Sequence, residues 1–171
     1  MSTLARAPAS APKYALLEIE RTLLVDPALL PDLSALPFTL IDDRYLHGGR
    51  LRLRVMSDSV TGIASYKLGK KYGATGPNTE PIVNVYLDAS EYASLTGLPA
   101  YALSKRRYRS HAGHIFGIDV FEGVHAGLYL CEAEAETLEA LLALSFPPFA
   151  VRDVTADPDY SGWALAAAGE P

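Results

Sequence analysis

The chain's 171 residues leave room for one compact domain, and with 49% of them apolar wholesale disorder is excluded. A net charge of −5 excludes a surface built as a whole to attract nucleic acid, and the single cysteine, Cys131, excludes both an intramolecular disulfide and a cysteine-based zinc site. Met1 to Pro12 lacks the apolar run of a signal peptide and no stretch is long enough to cross a bilayer, so the reading is a flexible tail over residues 1–12 and a single domain over 13–171 in a cytoplasmic protein.

A first strand is predicted from Lys13 to Val25, broken by Asp26-Pro27, with a helical turn or two over Pro27 to Leu36. Phe38 to Leu46, Arg50 to Met56 and Ile63 to Gly69 follow as strands of a meander, joined by tight turns at His47-Gly48-Gly49 and Ser57 to Gly62. A loop over Gly73 to Pro81 leads to a strand over Ile82 to Leu87, and Asp88-Ala89-Ser90 opens a helix through Glu91 to Leu98. Ala100 to Arg109 and Ile115 to Glu122 are strands about a turn at His111 to His114, and Gly127 to Ala135 is the last long strand. Glu136 to Leu144 is a helix stopped by Pro147-Pro148, and Phe149 to Ala166 reads as short strand and loop. Hairpin-linked strands with a few short helices predict an α+β, mainly β fold, a closed or nearly closed antiparallel β-barrel with the helices packed outside.

Alternate side chains of a strand share a face. Glu18, Glu20 and Thr22 share one on the first strand, and Arg50, Arg52 and Arg54 share one on the third. Lys67 stands on the fourth; Lys105, Arg107 and Arg109 alternate together, as do Glu132, Glu134 and Glu136, and Asp119 lies between apolar Ile118 and Val120. One charged strand face is ordinary solvated sheet. Here several strands are sorted into acidic and basic ones, and like charges side by side repel unless counter-charges sit between them. Closing the sheet turns these faces into a polar bore in which Glu18, Glu20, Glu132 and Glu134 are hard oxygen ligands suited to Mg²⁺ or Mn²⁺. The bases would grip polyphosphate oxygens, a combination that serves phosphoryl transfer by positioning and charge alone.

In chain order, "LLEIERTLLV", "DDRYLHGGRLRLRV", "YKLGKKYG", "EYASLTGLPAYALSKRRY", "FGIDVFEGVHAGLYLCEAEAE" and "PPFAVRDVTADPDYSGWALA" resemble the successive motifs of the CYTH domain proteins, or triphosphate tunnel metalloenzymes, from Tyr14 to Ala166. The resemblance implies an eight-stranded tunnel, a divalent metal and a triphosphate threaded through the bore. Carried over by motif, Glu18, Glu20, Glu132, Glu134 and Asp119 bind metal or orient water, and Arg52, Arg54, Lys67, Lys105 and Arg107 hold phosphates. Glu18, Glu20, Lys67 and Glu132 form the catalytic set. The expected activity is metal-dependent hydrolysis of inorganic triphosphate or a nucleoside triphosphate, the expected partner is that small molecule, without nucleic acid or membrane, and the oligomeric state stays open, a homodimer included. Two positions depart from the pattern. Thr22 stands where E-x-E-x-K has lysine, with Arg21 on the wrong face to replace it, and Gly69 stands where many members have threonine. The alternatives are an adenylate cyclase and a non-catalytic sensor of a phosphorylated ligand, the second favoured by Thr22. His47, His111, His114 and His125 read as turn and loop residues, Cys131 as packing, Trp163 as covering one barrel end, and Lys71 as a strand end with a weaker claim on phosphate.

Overall fold

The computed structural model describes residues 12–111 and 114–169, so of the expected N-terminal tail only Pro12 lies within it. Its strands are β1 (Leu16–Val25), β2 (Phe38–Leu46), β3 (Leu51–Asp58), β4 (Ala64–Lys71), β5 (Thr79–Leu87), β6 (Ala100–His111), β7 (Ile115–Phe121), β8 (Tyr129–Glu134) and β9 (Ala150–Asp153). They form one antiparallel sheet in the order β5-β4-β3-β2-β6-β7-β8-β1-β9. β5 also pairs with β1 from Leu16↔Ile82 to Ile19↔Thr79, which closes the first eight strands into a barrel. β9 pairs with the other half of β1, Leu23 to Val25. The expected mainly β barrel is therefore observed, with one strand added. None of its helices is long and apolar enough to cross a membrane among the described residues.

Alternation along the strands decides what faces where. Leu23, Val25, Tyr108, Phe116, Ile118, Cys131 and Ala133 face outward and are buried against Leu141 and Phe149, contributed by helix α1's later counterpart α2 (Leu138–Ala143) and the segment after it; α1 itself spans Ala89–Leu95. Each such side chain removed from water is worth about 1.5–3 kcal/mol. Burial pushes the Cys131 thiol up to about 12, so it packs and does not react. The α1 start follows from a capping box: Asp88 accepts from Ser90 N and Glu91 N, and Glu91 Oε2 accepts from Asp88 N, all at 2.8 Å.

The helical turn expected after Asp26 is the 3₁₀ turn Pro27–Leu29, and Pro31 stops it from continuing. Two local expectations are corrected. β5 starts at Thr79, inside the stretch read as a loop. Pro81 does not prevent this: its carbonyl accepts from Tyr72 N at 2.9 Å, so its missing donor faces the β4 side and the pairing with β1 loses nothing. The second correction is a helix, α3 (Gly162–Ala168), in the tail read as strand and loop. Ser161 caps it, accepting from Ala164 N at 3.2 Å, and the run of alanines supplies propensity.

α3 also changes the picture of the bore. Leu103, Phe121 and Leu130 have the inward parity of Lys105, Asp119 and Glu132, yet they are buried against Val154, Leu165 and Ala166. The interior thus has an apolar tier, closed by α3, beside a charged one. Gly162 permits this closure, since a Cβ there would stand 2.0 Å from the Tyr45 hydroxyl.

Candidate active site

The charged tier opens into a cavity of about 830 Å³. Glu18, Glu20, Arg52, Arg54, Lys105, Arg107, Glu132 and Glu134 all line it, joined by Thr22, Lys71 and Glu80. Strand register explains the grouping, because directly paired residues point to one face. Glu20 pairs with Glu134, Thr22 with Glu132 and Glu18 with Glu80, so β1, β8 and β5 together build an acidic wall.

In that wall the carboxylates of Glu18, Glu20 and Glu134 bring one oxygen each within 4.8 Å of one another. Lys71 Nζ lies 2.6 Å from Glu18, 2.9 Å from Glu20 and 3.5 Å from Glu80. Three carboxylates therefore share one ammonium, which is the counter-charge of the buried Glu18 Oε2. Burial, with Glu132 and Glu18 nearby, raises the Glu20 carboxyl to about 6, against the pull of Lys71. Burial alone would lower the Lys71 ammonium, but Glu20 and Glu18 raise it, so it stays charged. All-oxygen donors this close fit a hard divalent cation.

The opposite wall carries the bases. Arg107 Nε and Nη2 donate to Asp119 at 2.6 and 2.7 Å, and Arg107 Nη2 also reaches Glu132. Lys105 Nζ donates to Asp119 and lies 3.5 Å from Glu132. Burial would raise the Glu132 carboxyl, but Arg107 and Lys105 override it and hold the group well below the ordinary carboxylate range. On β3, Arg54 Nε and Nη2 donate to Asp43 at 2.6 and 2.7 Å, and Arg52 Nε lies 3.6 Å from the same carboxylate.

Two expected residues stand apart from this convergence. Asp119 is fully buried behind Lys105 and Arg107 and is not in the acidic triad. Lys67 does not line the cavity; its ammonium lies 4.8 Å from the centre of the Tyr86 ring. Lys71, four residues on and of the same parity, does line it. Asp43 and Glu80 were missed by the sequence reading, although their registers opposite Arg54 and Glu18 carry the signal once strands are paired. Of the histidines, His47 stacks on Tyr101 at 4.2 Å, His114 bonds the Glu134 carbonyl at 3.1 Å and His125 the Leu165 carbonyl at 2.7 Å; the His111 side chain lies outside the described residues. Trp163 is half exposed, edge-on to Tyr101 at 5.9 Å, and lines the same cavity.

No protein-family model and no curated protein matches the chain. Solved structures do, and the fold they share with it is that of the CYTH domain proteins, the triphosphate tunnel metalloenzymes. A structure of the inorganic triphosphatase NE1496 is similar at 26% identity and a TM-score of 0.55, covering 87% of this chain and 93% of that one. A second structure of NE1496, described as a hypothetical protein, gives 27% identity and a TM-score of 0.54 over 87% of this chain and 97% of that one. PH1819 from Pyrococcus horikoshii OT3 shares the fold at 16% identity and a TM-score of 0.50, over 73% and 82% of the two chains.

Proposed function

We propose that the protein is a divalent-metal-dependent triphosphatase. The observation that carries this reading is the facing of an acidic wall and a basic wall across one cavity. Its likeness to a protein described as an inorganic triphosphatase supports it. Glu18, Glu20 and Glu134 would hold Mg²⁺ or Mn²⁺, which would polarise phosphate oxygens and lower the pKa of water. Arg52, Arg54, Lys105 and Arg107 bind the phosphates and meet the charge that develops on the leaving oxygen. Water attacks the terminal phosphorus, the bond to the bridging oxygen breaks, orthophosphate and the shortened phosphate leave, and an acidic-wall carboxylate takes the water's proton. Phosphate release from tripolyphosphate and from ATP, with Mg²⁺ or Mn²⁺, tests the proposal. No turnover by folded protein with either metal would sink it.

Lys71 replaces Lys67 in this scheme as the β4 phosphate ligand. Lys71→Met is expected to raise KM about tenfold, whereas Lys67→Met stays within about twofold; the reverse order in steady-state kinetics restores Lys67.

Glu20 gives the site a pH signature. Its folded carboxyl titrates near 6 instead of 4.5, so its contribution to stability is whole below pH 4.5 and is lost as pH rises through 6. The loss is about 2 kcal/mol at neutral pH. In chelator, Glu20→Gln is expected to match the wild type at pH 4 and to exceed it in Tm at pH 7. A Tm difference independent of pH contradicts this.

A second reading concerns the substrate. Tyr101, Trp163 and His47 line the cavity and offer flat faces to a nucleobase, which favours a nucleoside triphosphate over the inorganic one. Products from ATP separate the chemistries: ADP and phosphate for a hydrolase, cAMP and pyrophosphate for a cyclase.

A further inference from the structure

Asp43 belongs to neither wall as the sequence describes them. It projects inward from β2 directly opposite Arg54 and is 2% exposed. Both its oxygens receive an N–H from the Arg54 guanidinium, at 2.6 and 2.7 Å, and Arg52 Nε approaches one of them at 3.6 Å. This two-point grip fixes the plane of the Arg54 group, and Arg54 still lines the cavity with its remaining N–H donors. Asp119 grips Arg107 in the same two-point manner on the other basic strand. Neighbouring Asp42 points to the opposite face and makes no ion pair among the described residues.

The charges nearly cancel. Arg52, Arg54, Lys105 and Arg107 are countered by Asp43, Asp119 and Glu132, which leaves one positive charge in excess. Neutralising Asp43 would double that excess. A polyphosphate would then be held more tightly, and its shortened product as well.

We propose that Asp43 is a positioning residue that locks Arg54 and steadies Arg52 toward the substrate, while its charge limits how tightly the basic wall holds a polyphosphate. The proposal rests on the triphosphatase reading. It predicts two separable effects. Asp43→Asn removes the charge and one of the two acceptors, so KM and calorimetric Kd for tripolyphosphate are expected to fall about three- to tenfold. Its kcat is expected to fall about tenfold as Arg54 loses its alignment and product leaves more slowly. Asp43→Glu keeps the charge and moves the guanidinium, so kcat falls about tenfold with KM within about twofold. Asp42→Asn leaves both constants unchanged.

Unchanged or raised KM and Kd in folded Asp43→Asn overturns the charge role. Wild-type kcat in Asp43→Glu overturns the positioning role, and that variant decides alone if Asp43→Asn does not fold. A purely structural role would lower the amount of active protein and leave KM untouched in both. If the wild type neither binds nor hydrolyses tripolyphosphate, the triphosphatase reading falls and this one with it. An active wild type with indifferent variants sinks Asp43 alone.

Discussion

Glu18→Gln is expected to lower triphosphate hydrolysis by at least about 100-fold while leaving the fold intact. Glu18 is one of three acids whose oxygens converge, and its buried Oε2 is the atom that Lys71 Nζ meets at 2.6 Å. The amide keeps the shape but loses the charge that a divalent cation needs. Because Glu18 already sits beside two other carboxylates on the same wall, removing one negative charge relieves repulsion and costs little stability. Mn²⁺ titration by calorimetry should show weakened binding in step with the lost activity. Wild-type hydrolysis by Glu18→Gln, or normal Mn²⁺ affinity with no hydrolysis, would remove Glu18 from the metal set.

Asp119→Asn is expected to act the other way, through stability. Asp119 is fully buried and is the shared counter-charge of Lys105 and Arg107. Without it two enclosed cations keep only Glu132 between them, and breaking such a buried pair costs about 3–5 kcal/mol. At the size of this domain that is a Tm fall of roughly 10 °C. Asp153→Asn is the contrasting case: its pair with Arg21 at 3.1 Å is partly exposed on the acid's side, and its loss should cost under about 1 kcal/mol. Equal Tm losses in the two variants would show that the buried trio is not a structural unit.

Much of this architecture was legible because a strand announces its two faces every second residue. Glu18-x-Glu20, Arg52-x-Arg54, Lys105-x-Arg107 and Glu132-x-Glu134 could be assigned to one interior surface before any pairing was known, and all eight line the cavity. Parity does not fix depth. Lys67 and Lys71 share a face, and only the pairing of β4 with β5 determines which of them meets Glu18 and Glu20 and which rests on Tyr86. Asp43 was hidden for a related reason: between Asp42 and Arg44 it reads as solvated surface, and its meaning comes from Arg54 across the ladder. Nor does parity separate a cavity lining from a plug. Leu103, Phe121 and Leu130 are polar-face positions filled by apolar residues, and what they pack against, α3, is brought in by the far C-terminal segment. The α3 start itself was readable from Ser161, although a seven-residue helix gives too little periodicity to insist on.

The ring is closed by only four residue pairs, Leu16 to Ile19 against Thr79 to Ile82, and two of the carboxylates that would hold a cation stand on that closing strand. An ion seated between Glu18, Glu20 and Glu134 would tie that strand to its other neighbour, β8, while Lys71 and Glu80 span the closing seam itself. Filling the site would pin one flank of the strand on which closure depends, and the free energy of that occupancy would add to the stability of the whole hoop.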